Sequence, residues 1–200
     1  MADIFPTGYF AAARFLKDLS PADRSSTVAV VIGCGPVGIC AIVTALTMCK
    51  TVYAIDPVAE RVLEAEKLGA IAIPPGADAA EIIKKATDGR GADVAMEVVG
   101  RKVALMTALN LVRPWGKVSS VGVHTEVLDI PGASLYGKNI TLAFGRCPVR
   151  SIFEDALDVL VKEQDKVKFL CGTKMKLEEA PEAFKLFEQQ KVHKVLFELA

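Results

Sequence analysis

One uncharged stretch, Thr27 to Cys49, limits most what this 200-residue chain can become. It reads TVAVVIGCGPVGICAIVTALTMC, and no charged residue stands between Arg24 and Lys50. A run of that length can span a bilayer. Its first part, Thr27–Ile32, is β-branched and apolar, which suits a strand buried on both faces. Gly33-Cys34-Gly35-Pro36 then interrupts any continuous helix, so the reading is strand, glycine turn, helix. Gly33, Gly35 and Gly38 fall in the pattern G-x-G-x-x-G. In such a turn the first glycine permits the tight bend, the second lets a ligand approach the backbone, and the third lets the helix pack closely on the strand. Pro36 is acceptable where the helix opens, because a first-turn N–H has no intrahelical partner. The helix start, with Val37 and Gly38, points free N–H groups and a positive dipole end at an anion. Together these residues predict a grip for the pyrophosphate of a dinucleotide.

Asp56 strengthens that expectation. It ends a second apolar stretch, Thr51–Ile55, at the place where a βαβ unit hydrogen-bonds the adenosine ribose hydroxyls. Its charge repels a 2′-phosphate, so NAD is expected over NADP. The same residue, followed by Pro57 and the helical pattern VAERVLEAEKLG, also suits a helix cap, and the two roles are compatible. Arg61 is placed to reach back toward the ribose or a phosphate, or to sit on a solvated helix face.

Bulk composition excludes several classes. Lys+Arg and Asp+Glu both number 24, giving no electrostatic case for nucleic acid or an anionic membrane. Cys34, Cys40, Cys49, Cys147 and Cys171 form no C-x-x-C pair or zinc-knuckle spacing. An odd cysteine count and a beginning that carries Asp3 rather than a basic segment point to a reducing, cytoplasmic setting. At 52% hydrophobic residues and a mean hydropathy of +0.35, the chain has ample material for a core.

Helical and strand-like segments alternate along most of the chain, predicting an α/β fold: a doubly wound, six-stranded parallel sheet of Rossmann type. Strands are expected at 27–32, 51–55, 70–73, 93–99, 116–121 and 139–144. Helices are expected from Pro36, at 59–68 with Val62, Leu63 and Leu68 inward, at 79–87, at 103–111 and at 151–162. Ser151 is expected to cap the last of these, with Glu154 three residues on. Residues 19–26 read as a linker. From Asp165 the character changes: a strand at 167–170, a helix at 178–189 and a strand at 195–199 predict a short C-terminal β-α-β tail. The domain expectation is therefore a connecting helix or linker over 1–26, a nucleotide-binding domain over 27–164, and an appended tail over 165–200.

Several longer motifs, in order, resemble the C-terminal portion of medium-chain, zinc-type alcohol dehydrogenases, including glutathione-dependent formaldehyde dehydrogenases. They are ADIFPTGYFAA (2–12), VVIGCGPVG, AIDPVAERVLEAEKLGA, GRGADVAMEVVG, RPWGKVSSVGV and GRCPVR, and they cover nearly the whole chain. The resemblance implies NAD-dependent hydride transfer between an alcohol and an aldehyde or ketone. It puts Thr7 at the nicotinamide side of the cofactor and Asp56 and Arg61 at the ribose. Val121 and Val123 fall where backbone meets the nicotinamide carboxamide, and Phe144 near a similar contact. Glu97 lies near the expected cleft, either there or as a buried hydrogen-bonded carboxylate or helix cap. His193 stands where relatives often carry a basic phosphate-contacting residue, and Trp115 where many have glycine.

The resemblance also puts Asp3 at the third catalytic-zinc ligand. Zinc there needs three protein ligands and an open position. The other two, a cysteine and a histidine, come in the family from an N-terminal barrel-like domain outside these residues, and no spacing argument lets His124 or His193 replace them. Independent turnover is therefore doubtful. The alternative is a non-catalytic NAD-binding or assembly module, a truncated dehydrogenase whose uncovered tail pairs with a second copy or with a partner chain.

Overall fold

The computed structural model describes Met1 and residues 3–199. Six strands form one sheet: β1 (Val28–Ile32), β2 (Thr51–Ile55), β3 (Ile71–Ile73), β4 (Ala92–Glu97), β5 (Val112–Ser120) and β6 (Thr141–Phe144). Their order is β3-β2-β1-β4-β5-β6, every pair parallel. The doubly wound sheet read from the alternation of elements is therefore present.

Strand β1 is buried along its whole length, with β2 on one side and β4 on the other. Its side chains alternate: Ala29 and Val31 enter one core, while Val28, Val30 and Ile32 enter a second. The first core lies under α1 (Ile4–Leu16), α3 (Pro36–Met48) and α8 (Val149–Val167). The second lies under α5 (Ala79–Ala86), α6 (Lys102–Leu111) and α7 (Gly132–Lys138). Helix α3 needs no charge because it is nearly all buried. Helix α1 buries Phe5, Tyr9, Ala12 and Leu16 on one face and crosses α3 at Gly8. A Cβ at Gly8 would stand 2.7 Å from the Val37 carbonyl and 2.6 Å from the Cys40 Cβ, so the two backbones touch where α3 begins.

Several sequence expectations shift. Residues 19–26 are not a linker: α2 (Pro21–Ser26) forms there, capped by Ser20, whose hydroxyl accepts the Asp23 N–H. Helix α4 (Ala59–Lys67) buries Val62 and Ala65, whereas Leu63 is 53% exposed. Ser151 does not cap α8, which starts at Val149; its hydroxyl donates to the Pro148 carbonyl from inside the first turn. The strand expected at 167–170 is the end of α8 and a 3-10 turn, Lys168–Cys171. The tail strand is instead β7 (Thr173–Lys176), which pairs parallel with β8 (Val195–Glu198) through α9 (Ala180–Glu188). Lysines at alternate positions of β7 hid it, because it is a half-exposed strand without an apolar run. Helix α7 had no sequence expectation; it is short, carries two glycines and buries nothing fully.

Trp115 sits at φ +62 within β5, where the pairing with β4 shifts register, in a left-handed conformation that disfavours bulky side chains. The indole is 70% exposed. No helix among the described residues is long and apolar enough to cross a membrane.

Candidate functional site

At the carboxyl ends of β1 and β4, where the strand order reverses direction, an open α/β sheet leaves a crevice. Here it is a cleft of about 260 Å³. Gly33, Gly35, Pro36, Val37, Gly38, Asp56 and Arg61 all line it, so the residues read as the nucleotide grip are brought together in space.

The three glycines differ in what the fold asks of them. Gly33 has φ +98 and lies against the Val98 and Val99 side chains, the nearest of which a Cβ would meet at 2.6 Å. At Gly38 a Cβ would run into the Gly33 carbonyl, which fixes how closely α3 approaches β1. Gly35 is different. A Cβ there would meet nothing nearer than the Arg61 Nη1, at 3.9 Å, and would occupy the cleft itself. The protein's own packing therefore does not require glycine at position 35. Beside it, the first N–H groups of α3 lack intrahelical partners, as at every helix start, because the ladder begins with the Ile39 N–H donating to the Gly35 carbonyl at 2.8 Å.

Asp56 is 4% exposed at the tip of β2. Its Oδ2 accepts the Cys34 N–H at 2.7 Å and its Oδ1 accepts the Val58 N–H at 2.9 Å. The carboxylate thus braces the glycine turn and opens α4 through Val58, although it is not the N-cap residue itself. Each oxygen keeps a further lone pair for a hydroxyl donor. Arg61 Nη1 lies 4.0 Å from Oδ2. Burial pushes the Cys34 thiol up to about 12, and the Asp56 charge adds to this. The cysteine between the glycines is therefore a protonated, inert packing group.

Val98, Val99 and Gln190 also line the cleft and were not read from the sequence. The valines follow the fourth strand directly, and that position was the available signal. Gln190 comes from the tail, at φ +58 after α9. Val121, Val123 and Phe144 do not line this cleft: the valines follow β5, and Phe144 is the last residue of β6. Val123 is 78% exposed, and the Phe144 ring meets His124 edge-on at 5.7 Å. Thr7 is on α1, where its hydroxyl donates to Asp3 Oδ1 at 3.3 Å. Helix α1 is tied to the β6 end by Arg14 donating to the Ala143 carbonyl at 2.8 Å.

His193 is drawn to α4, its Nε2 lying 2.6 Å from Glu64 Oε2. Glu97 is fully buried and hydrogen-bonded, which decides between the alternatives left open for it. No group of three His, Cys, Asp or Glu side chains that could hold a metal exists among the described residues. Asp3 alone does not fit a zinc ion.

Comparison with known proteins agrees with this architecture. The model of the zinc-binding dehydrogenase family matches residues 36–162, more than half of the chain. The chain belongs to the zinc-binding dehydrogenase family. It is similar to a zinc-type alcohol dehydrogenase B of Aspergillus flavus, 46% identical over 98% of this chain and 47% of that protein. A probable zinc-binding alcohol dehydrogenase of Mycobacterium tuberculosis is 37% identical over 92% of this chain and 46% of its own length. Among solved structures, an alcohol dehydrogenase of Thermus sp. ATN1 superposes with a TM-score of 0.88 at 31% identity, over 99% of this chain and 56% of that one. The chain spans about half the length of the curated relatives it matches. It corresponds to the half of a zinc-type alcohol dehydrogenase that carries the doubly wound sheet, within a family of oxidoreductases.

Proposed function

We propose that this chain is the coenzyme platform of an NAD-dependent alcohol dehydrogenase. The observation that carries the reading is the cleft at Gly35, lined by the start of α3 and by Asp56. The α3 start holds a diphosphate, and Asp56 takes ribose hydroxyls on its remaining lone pairs. A buried carboxylate at that point disfavours a 2′-phosphate, which favours NAD. Arg61, within reach of both, adds charge complementarity. When bound, NAD supplies the carbon that accepts hydride from an alcohol or returns it to an aldehyde or ketone. Val121, Val123, Phe144 and Thr7 are proposed for the nicotinamide end. The described residues do not make a zinc site by themselves, and Asp3 is offered only as one ligand that groups from elsewhere would complete.

The second reading, a nucleotide-binding or assembly module, rests on the tail. Phe184 and Phe187 are 69% and 57% exposed, and with Val195 and Phe197 they line an apolar hollow of about 220 Å³. The β7–β8 pair is parallel and two-stranded, with both edges open, an arrangement stable only when covered. A second copy or a partner chain would cover it. On this reading residues 1–26 connect, 27–164 bind nucleotide, and 165–200 dock to another body, in a cytoplasmic setting.

An NADH fluorescence titration tests the first reading, and a signal that does not change up to millimolar NADH removes it. Light scattering tests the second, which a compact monomer with little dye-accessible apolar surface contradicts.

A further inference from the structure

The carboxyl end of β4 holds a buried acid without a lysine or arginine partner among the described residues. Glu97 is 0% exposed, and its oxygens are divided between two turns. Oε1 accepts the Val99 N–H at 2.8 Å and the Gly100 N–H at 2.6 Å. Oε2 accepts the Ser120 hydroxyl at 2.6 Å and lies 3.1 Å from His124 Nε2. Nε2 also lies 3.1 Å from Ser120 Oγ; with the Ser120 hydrogen given to Oε2, Nε2 carries the hydrogen shared between these two oxygens. The Glu97 backbone carbonyl in turn accepts the Val121 N–H at 3.0 Å. One residue therefore holds both the 98–100 turn and the start of the 121–124 segment.

His124 is an odd member of this cluster. Its side chain is 8% exposed, and its Nδ1 is buried without a hydrogen-bond partner. A buried polar atom left unpaired is unfavourable, so the imidazole is kept in place by what its other nitrogen does. That nitrogen faces the Glu97 carboxylate and the Ser120 hydroxyl. The turn it stabilises matters, because Val98 and Val99 form a wall of the cleft and press on Gly33.

We propose that His124 is a positioning residue for coenzyme binding: through Glu97 it fixes the 98–100 turn, and so the wall of the cleft facing Gly33. His124 does not itself line that cleft. The proposal rests on the reading of the cleft as a dinucleotide site, and deepens it.

His124→Phe keeps a ring to meet Phe144 and removes the N–H, whereas His124→Gln restores a side-chain N–H at similar reach. In His124→Phe the NADH dissociation constant is expected to rise about tenfold. Amide exchange at Val99 and Gly100, measured without nucleotide, is expected to quicken. His124→Gln is expected to recover both. Unchanged affinity and exchange in His124→Phe, or a Gln variant no better than Phe, overturns the proposal. If His124→Phe does not fold, Ser120→Ala strips the other donor from the same oxygen and is expected to change both readouts in the same direction; no change in either also overturns it. Wild-type protein that ignores NADH defeats the dinucleotide reading instead, and the exchange arm then decides the positioning claim alone.

Discussion

Replacing Asp56 by alanine separates the two jobs this carboxylate does. In the fold it accepts the Cys34 N–H at 2.7 Å and the Val58 N–H at 2.9 Å. After truncation the Val58 amide can turn to water at the helix start, but the bond to Cys34 is buried, and that N–H is left unsatisfied. Leaving one buried donor unmade costs about 1–3 kcal/mol. For a chain of this size that lowers the melting temperature by about 2–4 °C per kcal/mol. The binding effect is separate and larger. Two ribose hydroxyls donating to a carboxylate contribute about 1.5 kcal/mol each at the low end for charged acceptors. Losing both weakens NADH by about a hundredfold. NADPH is expected to lose far less, because the repulsion of its 2′-phosphate goes with the carboxylate while Arg61 stays. Calorimetric titration of both coenzymes, alongside thermal melts, reads all three quantities. A variant that melts lower yet binds NADH as the wild type does shows that Asp56 only braces the turn, and the ribose argument fails.

Three further outcomes follow from local geometry. Gly35→Ala puts its methyl into open cleft and is expected to melt within about 0.5 kcal/mol of wild type while losing more than about tenfold in NADH affinity; Gly38→Ala drives a methyl into the Gly33 carbonyl and is expected to lose about 1–3 kcal/mol of stability. Equal melts for the two variants would contradict that division of roles. Lys138 Nζ donates to the carbonyls of Leu109, Asn110 and Val112, closing the end of α6, so Lys138→Met is expected to lower stability by about 1–3 kcal/mol in chemical denaturation; a change too small to measure refutes the capping role. Burial pushes Cys34 and Cys40 up to about 12 and Cys49 to about 11, from an ordinary 9.0. Above pH 9 the folded chain then holds more protons than the unfolded one, so this contribution is complete below about pH 9 and is lost as pH rises toward the folded values. Melting temperature is expected to fall through that window, with Cys40→Ala flattening the decline; an identical slope in the variant would dismiss the thiols as the cause.

The central sheet was legible because a strand buried on both faces is written in apolar and β-branched residues, as VAVVI at 28–32 and TVYAI at 51–55 are. The cleft lined by Gly33, Gly35, Gly38 and Asp56 was legible for a similar reason, since its residues are glycines and one acid close together in sequence. What escaped was marked by long-range partners. Helix α2 is polar and exposed, so nothing in its composition separates it from a linker until Ser20 caps it. Strand β7 reads as polar because only one of its faces is covered, and its partner β8 comes nearly twenty residues later. Ser151 fits a capping pattern, yet α8 begins two residues earlier, at Val149, and leaves it no free amide to accept. The contact of His124 with Glu97 was hidden because the two lie 27 residues apart in sequence.

The burial of β1 has a consequence for how the chain is made. Its neighbours are β2 and β4, and β4 ends only at Glu97. Until a ribosome has released residue 97, an emerging polypeptide carries a naked apolar ribbon with no charge from 25 to 49 to keep it apart from others. Synthesis at about 5–20 residues per second leaves that ribbon uncovered for seconds. From this strand order, nascent chains stalled before residue 92 are expected to leave that ribbon uncovered, and chains in which β4 has emerged to cover it.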